Sequence, residues 1–455
     1  MKKFLPDLIA ILAFIILSFA YFFPADIEGR ILFQHDTAAG VGAGQESKEY
    51  LERTGERTRW TNSIFGGMPT YQMSPSYDST TSLKGVEKVY RLFLPDYVVL
   101  TFIMMLGFYI LLRAFGISAW LAGLGGVIWA FSSYFFILIP AGHIWKFVTL
   151  AYIPPTIAGV VLAYRKKYLL GGIVTALFIA LQIQSNHIQM SYYFMFVILF
   201  FVGAYFEDAY RKKELPHFFK ASGVLALAAV VGVCINISNL YHTYEYSKET
   251  MRGKSELKQE GAAASQTSSG LDRDYITNWS YGIGETLTLL VPNVKGGGSG
   301  STMSQSEAAM AKANPMYNGI YSQLPQYFGE QPWTAGPVYV GAFVMFLFVL
   351  GCFIVKGPLK WALLGATIFS ILLSWGKNFM GLTDFFIDYV PMYNKFRAVS
   401  SILVIAEFTI PLLAIFALKE ILNKPDTLKL KENRGGVIAT LVLTCLLYTS
   451  DAADE

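Results

Sequence analysis

The sequence predicts an all-α protein whose helices cross a membrane many times, with two large polar loops between them. Of its 455 residues, 54% are hydrophobic and only 15% are charged, and its mean hydropathy is +0.43. Soluble domains usually contain about 25% charged residues, so this composition favours an integral membrane protein. The basic residues form short clusters between apolar runs, a pattern typical of membrane topology, so we expect no nucleic-acid partner.

The apolar runs predict about eleven membrane spans. They cover residues 5–23, 97–115, 119–139, 147–164, 169–185, 192–206, 218–237, 336–355, 361–375 and 400–418, and the last begins near residue 435. The first run is longer than the roughly 7–15 residues of a signal-peptide core, so we expect a retained span with a cytoplasmic N-terminus. Lys and Arg then lie in every short loop assigned to the inside, as the positive-inside rule requires.

This topology places two large loops outside, loop 1 at residues 24–96 and loop 2 at residues 238–335. Loop 1 is polar and rich in turn residues, and its segment Trp60–Pro69 predicts a Gly-Pro turn flanked by aromatic residues. Loop 2 contains stretches of small residues at 261–270 and 295–301, which predict a mobile loop rather than a separate domain. Residues 445–455 look like a translated sequencing adapter, so we expect one transmembrane domain over residues 1–444 and a non-native tail after it.

Asp36 is the first candidate for chemistry. It follows the first span closely, so its carboxylate is expected to lie just above the membrane surface, with His35 beside it as a substrate contact. An enzyme that transfers a sugar from a lipid phosphate must deprotonate an acceptor hydroxyl and stabilise a departing phosphate. A carboxylate can be that base, or it can hold a divalent cation that assists the leaving group. The alternative is an Asp that only caps a loop helix.

Two short outer turns contain further candidates for substrate binding. In the first, His143 and Lys146 are expected to bind phosphate or to move protons, although Lys and Trp at a span end also serve as headgroup anchors. The second contains Asn186, His187 and Gln189 at the end of the fifth span. With Gln182, the spacing of Asn186 and Gln189 predicts one polar helix face, which suits either substrate contact or hydrogen bonds between helices.

The segment before the tenth span contains a pair of cations that departs from the positive-inside pattern. Lys395 and Arg397 are predicted to lie outside, where they would bind an anionic group such as a lipid phosphate. The alternative is an ion pair with Asp384 or Asp388. Glu407, inside the tenth span, is a candidate because acids within spans are usually functional, although it would also suit a structural partnership with the two cations.

Five stretches of the sequence resemble the YfhO-like bacterial membrane proteins, most closely their Bacteroidetes-type members. They are Trp60–Pro69 (WTNSIFGGMP), Tyr246–Gly253 (YSKETMRG), Asn278–Glu285 (NWSYGIGE), Leu373–Asn378 (LSWGKN) and Tyr393–Arg397 (YNKFR). That family resembles the GT-C glycosyltransferases, which are polytopic, use polyprenyl-phosphate sugars and carry an essential acid on the first outer loop. The resemblance implies a GT-C-like helical bundle in the bacterial cytoplasmic membrane, with Asp36 as the base or the metal-binding acid.

The leading hypothesis is therefore a membrane glycosyltransferase that moves a sugar from a polyprenyl-phosphate donor to a cell-envelope glycan or lipid acceptor on the outer face. The sequence shows no P-loop or other nucleotide-binding pattern, which favours a lipid-linked donor. The alternative is a polytopic transporter or lipid flippase, supported by Pro154, Pro155 and Glu407 but not by internal repeats. A non-catalytic envelope-assembly scaffold is the third hypothesis, and it predicts no convergence of the candidate residues.

Overall fold

A computed structural model describes residues 4–73, 75–253 and 270–446, and this part of the chain is predominantly helical. The predicted small-residue stretch at 261–269 and the adapter-like residues 447–455 lie outside it. The chain forms two units. Unit 1 comprises Met1–Ala130, Leu138–Tyr192 and Lys212–Lys254, and unit 2 comprises Phe131–Ile137, Tyr193–Arg211 and Ser255–Glu455.

The described residues form nineteen α-helices and one antiparallel two-stranded ribbon. The helices of the first half are α1 Leu5–Phe22, α2 His35–Thr54, α3 Thr81–Tyr90, α4 Val98–Ala114, α5 Ala119–Ala130, α6 Ser133–Ala141, α7 Ile144–Tyr164, α8 Tyr168–Gln184, α9 Ile188–Arg211, α10 Leu215–Cys234 and α11 Ile237–Ser247. Those of the second half are α12 Arg273–Thr277, α13 Glu307–Lys312, α14 Asn318–Tyr321, α15 Ala342–Ile354, α16 Pro358–Ser374, α17 Met380–Tyr389, α18 Val404–Asn423 and α19 Lys431–Leu441. The strands are β1 Trp60–Thr61 and β2 Met68–Pro69.

The predominantly helical structure confirms the predicted helical class, and several of these helices are long and apolar enough to cross a membrane, which is consistent with a multi-pass protein. Within the described ranges there are five such helices, or up to seven when each of two bent pairs counts as one span. The five are α1, α7, α9, α10 and α18 with the turn before it, and the pairs are α5 with α6 and α16 with α17. The shorter apolar helices α4, α8 and α15 fall on the second, fifth and eighth predicted spans. Helix α19 lies where the eleventh is predicted.

Helix α7 is the centre of unit 1, since 94% of its most apolar window is buried. It packs against α4 and α8, α8 packs against α10, and α1 packs against α4 and α5. Helices α7 and α8 approach closely because small residues face each other there. A Cβ atom added at Gly171 would lie 2.5 Å from the backbone nitrogen of Ala163. The close contact therefore depends on the absence of a side chain.

The two ends of unit 1 differ in chemistry. At one end, Arg113 binds Asp7 at 2.7 Å, the Arg165 guanidinium donates to the carbonyl of Ala114 at 2.5 Å, and Lys166 binds Glu214 at 3.0 Å. The opposite end begins at Ile144, where α7 starts. At about 1.5 Å per residue, the 21 residues of α7 separate the ends by roughly 30 Å, the thickness of a bilayer core. Arg113, Arg165 and Lys166 therefore lie at the end of unit 1 opposite the start of α7, where the predicted topology places the basic residues of the short inner loops.

Unit 2 is built around α18. In the most apolar part of this helix, 83% of the residues are buried. Helices α15 and α16 pack on it, and α19 packs on α15. Helices α16 and α17 meet at an angle of 109°. The guanidinium of Arg273 on α12 holds α17 through Asp384, at 3.0 Å, and Asp388, at 2.6 Å. These ion pairs connect loop 2 to the segment before the tenth predicted span.

Both loops contain more regular structure than their composition predicts. In loop 1, residues His35–Thr54 form a 20-residue helix, α2, with no buried residue. The Trp60–Pro69 turn is a hairpin that docks on α2, because Glu46 accepts hydrogen bonds from Thr61, at 2.6 Å, and from the amide of Asn62. In loop 2, residues 295–301, which are predicted to be mobile, are held by backbone hydrogen bonds. Their backbone pairs with residues 326–334, for example from Ser299 N to Thr334 O at 2.8 Å.

Candidate functional site

The start of α2 places Asp36 at one end of unit 1. Gln34, in an extended conformation, precedes the helix, and Asp36 lies in its first turn. The positive end of the helix dipole stabilises a carboxylate at this position. The Gln34 side chain donates from Nε2 to the carbonyl of Ile139 at 2.6 Å, which fixes the helix start against the end of α6. Asp36 therefore lies at the start of a loop helix, as the alternative prediction of a helix-capping Asp describes. The helix has no side-chain capping hydrogen bond, however.

The turn between α6 and α7 brings His143 to this carboxylate. Helix α6 ends at Ala141, and Gly142 has φ +80°, a conformation that side chains disfavour. A Cβ atom added at Gly142 would lie 2.9 Å from the backbone nitrogen of Thr37. Glycine thus permits both the left-handed turn and the close approach of α2. His143 then follows as the residue that precedes the first turn of α7.

Asp36 and His143 form a carboxylate–imidazole pair. The distance from His143 Nε2 to Asp36 Oδ2 is 3.0 Å, and His35 Nδ1 lies 3.5 Å from Asp36 Oδ1. The Asp36 side chain is 55% exposed and that of His143 is 48% exposed, so a substrate hydroxyl can reach both. An imidazole that donates to one carboxylate oxygen orients the carboxylate and leaves its other oxygen to accept a proton. The arrangement is suited to general-base chemistry.

A cavity of about 860 Å³ lies beside this pair in unit 1. Ligand sites typically have volumes of about 300–1,000 Å³. Gln34 and Thr37, on either side of Asp36 in the chain, line it, as do Ile144 and Trp145 after His143. The other lining residues are Gly29, Arg30, Ile31, Leu32, Met73, Pro75, Glu87, Arg91, Asp96, Tyr97, Leu100, Val148, Gln184, Ser185 and Asn186. Apolar and charged groups therefore share the wall, which suits an amphipathic ligand.

Sequence reasoning missed a charged cluster in the cavity wall. Arg91 binds Glu87 at 2.5 Å, and its Nε donates to the hydroxyl of Tyr152 at 3.2 Å. That hydroxyl in turn donates to Glu87 at 2.9 Å. A Glu–Arg pair four residues apart at the end of loop 1 was the available signal, but nothing in the sequence connects it to Tyr152 in the fourth span.

The second group of predicted residues lies at the same end of unit 1, but not on one helix face. Helix α8 ends at Gln184, and Asn186 has φ +61°, so the predicted shared face of Gln182, Asn186 and Gln189 is wrong. Asn186 accepts a hydrogen bond from Asn239 at 3.1 Å and lines the cavity. Gln189 lies in the first turn of α9.

Lys146 and His187 lie close enough to interact electrostatically. Lys146 is only 9% exposed, so it is buried in unit 1 and does not extend to the headgroups as an anchor would. Burial lowers the pKa of His187 to about 3, and the neighbouring Lys146 and His143 disfavour its protonation further. The buried Nδ1 of His187 has no hydrogen-bond partner within the described ranges. His187 is therefore neutral near pH 7.

This lowered pKa predicts a stability that depends on pH. The unfolded chain protonates His187 below about pH 6.5, whereas the folded chain resists protonation until about pH 3. The free energy of unfolding should therefore decrease as the pH falls from 6.5 towards 3. The His187→Gln variant should lose part of this dependence. Thermal unfolding in detergent across this range would test it, and equal pH slopes for the two proteins would contradict it.

The remaining predicted site residues belong to unit 2. The guanidinium of Arg397 lies over the rings of Tyr275 and Trp279, at 5.5 and 5.8 Å, and donates to the Tyr275 hydroxyl at 2.9 Å. The carboxylates of Asp384 and Asp388, the alternative partners predicted for Lys395 and Arg397, bind Arg273 instead. Partial burial lowers the pKa of Lys395. Glu407 is fully buried. Its carboxylate accepts a hydrogen bond from Ser132 and forms no ion pair with Lys395 or Arg397 among the described residues.

The donor set around Asp36 does not favour a divalent cation. Mg²⁺ and Ca²⁺ prefer several oxygen ligands, whereas the Asp36 carboxylate faces the imidazoles of His35 and His143. Across the described ranges, no group of three or more His, Cys, Asp or Glu side chains is arranged to hold a metal ion.

No protein-family model, curated protein or solved structure matches this chain.

Proposed function

We propose that this chain is a membrane glycosyltransferase of the YfhO-like, GT-C type that moves a sugar from a polyprenyl-phosphate donor to a cell-envelope glycan or lipid acceptor. The observation that supports this most is the Asp36–His143 pair, 3.0 Å apart, beside a cavity of about 860 Å³. The pair lies at the end of unit 1 opposite the basic residues Arg113 and Arg165. In a bacterial cytoplasmic membrane with a cytoplasmic N-terminus, this end and both loops face outwards.

In the proposed reaction, Asp36 acts as the general base. Oδ1, the carboxylate oxygen that does not face His143, accepts the proton of the acceptor hydroxyl while the hydroxyl oxygen bonds to the anomeric carbon of the sugar. The bond from that carbon to the phosphate oxygen breaks, and its electron pair leaves with the polyprenyl phosphate. His143 donates from Nε2 to Asp36 and keeps the accepting oxygen turned away from itself.

The departing phosphate needs positive charge nearby. In unit 1, Arg30 and Arg91 line the cavity, and Lys146 is buried next to His187. The neutral His187 adds no charge of its own and suits a hydrogen bond to the substrate. The assignment of Lys395 and Arg397 in unit 2 to the lipid phosphate stays a prediction.

The proposal predicts sugar transfer that depends on this chain. Bacterial membranes with and without the expressed chain would receive a radiolabelled polyprenyl-phosphate sugar, and labelled glycan and lipid products would be separated from the donor. Because the membranes supply the acceptor, we expect labelled product only where the chain is present, and added unlabelled polyprenyl phosphate should inhibit it. The same product in both membranes, or in neither at normal expression, would contradict the proposal.

A transporter or lipid flippase is the second candidate, and one observation favours it. Glu407 is fully buried in α18, and acids inside spans often mark transport pathways. Proteoliposomes that contain the chain would then move a fluorescent polyprenyl-phosphate lipid between leaflets without changing it chemically. Movement without sugar transfer would favour this candidate, whereas a scaffold would do neither.

A further inference from the structure

Glu407 lacks the counter-charge that a buried carboxylate needs. The Glu407 residue is 0% exposed, and the Oε1 atom of its carboxylate has no hydrogen-bond partner within the described ranges. Its Oε2 accepts a hydrogen bond from the hydroxyl of Ser132. The titratable groups near it are the phenols of Tyr134 and Tyr281, and no Lys, Arg or His among the described residues forms an ion pair with it. An isolated buried carboxylate is strongly unfavourable unless a cation neutralises it.

Backbone oxygen atoms are also available at this position. Ser132 lies in the break between α5 and α6, and its hydroxyl oxygen is 3.4 Å from the carbonyl oxygen of Tyr339. Pro411 has no N–H group, so the carbonyl of Glu407 lacks the hydrogen bond that residue 411 would otherwise donate. Backbone carbonyls at interrupted helices coordinate sodium ions in membrane transporters, and a buried carboxylate beside them can take up a proton instead.

The dipole of α18 does not replace the missing charge. Glu407 lies in the first turn of the helix, where the dipole favours an anion. A helix end is equivalent to about half an elementary charge, whereas an ionised carboxylate carries a full one. The residual charge still requires a ligand.

We propose that Glu407, the Ser132 hydroxyl and the carbonyl of Tyr339 form a site in unit 2 for a small monovalent cation, either a proton or a sodium ion. The three groups supply four oxygen atoms, of which Oε1 of Glu407 has no partner among the residues that the structure describes. A proton makes the carboxyl neutral and leaves Ser132 as its hydrogen-bond donor. A sodium ion bridges the carboxylate and the carbonyl instead. The site does not depend on the sugar-transfer proposal, because none of its atoms belongs to the Asp36 site.

Labelling with dicyclohexylcarbodiimide tests this site, since the reagent attacks protonated carboxyl groups in apolar surroundings. The full chain in membranes would be labelled at several pH values in sodium chloride or choline chloride, and the labelled peptide identified by mass spectrometry. We expect label on Glu407 and its loss in Glu407→Gln, whose amide oxygen can still accept from Ser132. The matched control is Glu420→Gln, the same change on the same helix, which should retain the label. Suppression by sodium but not choline identifies a sodium site, and no suppression identifies a proton site.

Infrared difference spectra provide a second measurement if the reagent cannot reach the site. A proton site predicts a carboxylic-acid band that is present in the wild type and absent from Glu407→Gln. A sodium site predicts instead that sodium shifts carboxylate bands in the wild type alone. If Glu407 shows neither label, nor an acid band, nor a sodium-dependent shift, it is an ionised hydrogen-bond partner of Ser132 and the proposal is wrong.

Discussion

Replacing Asp36 with Asn is expected to slow sugar transfer by about 10²- to 10⁴-fold, the usual contribution of a general base. The amide has nearly the same shape as the carboxylate but cannot accept the proton of the acceptor hydroxyl. The measurement is the initial rate of product formation in membranes with equal amounts of each protein. Glu49→Gln is the matched control, because Glu49 is an exposed acid on the same helix and accepts a hydrogen bond from the side chain of Gln45. It should retain the wild-type rate.

The effect of His143 separates a catalytic pair from two independent residues. Residues that act as a unit show strongly non-additive losses. His143→Ala should therefore reduce the rate substantially in the wild-type background, yet add little to Asp36→Asn. If the two losses simply multiply, the 3.0 Å contact has no catalytic role. An Asp36→Asn protein with nearly full activity would exclude Asp36 as the base.

Replacing Gly171 with Leu should prevent α7 and α8 from packing, at a cost of about 3 kcal/mol or more. A Cβ atom at this position would lie 2.5 Å from Ala163 N and 2.7 Å from Gly159 O, both of which are backbone atoms on the facing helix. Backbone atoms cannot move aside as a flexible side chain can. The expected result is a large fall in the unfolding temperature measured in detergent.

The control for Gly171→Leu is Gly223→Leu on α10. An added Cβ atom at Gly223 meets nothing within 4 Å, so the same substitution there tests helix propensity and added apolar surface without a clash. Its unfolding temperature should stay close to that of the wild type. Similar losses for the two variants would show that close contact between α7 and α8 does not determine the stability of unit 1.

The sequence determined the helical class, the presence of helices apolar enough to cross a membrane and the approximate position of nearly every apolar helix. Hydropathy is a sum over neighbouring residues, so a run such as the one that forms α7 is recognisable without knowledge of its partners. The same local reasoning placed Asp36 after the first span and His143 between two others. It failed at Asn186, where one left-handed residue ends the helical spacing.

Tertiary structure alone decided which of these residues meet. His143 is 107 residues from Asp36 along the chain, and the 3.0 Å contact between them exists because Gly142 allows α2 to approach the turn before α7. The burial of Lys146, the cluster of Arg91 with Tyr152 and the unpaired oxygen of Glu407 likewise depend on helices distant in sequence. Local sequence patterns indicate whether a segment is apolar and helical. Contacts, burial and pKa shifts depend instead on which segments pack together.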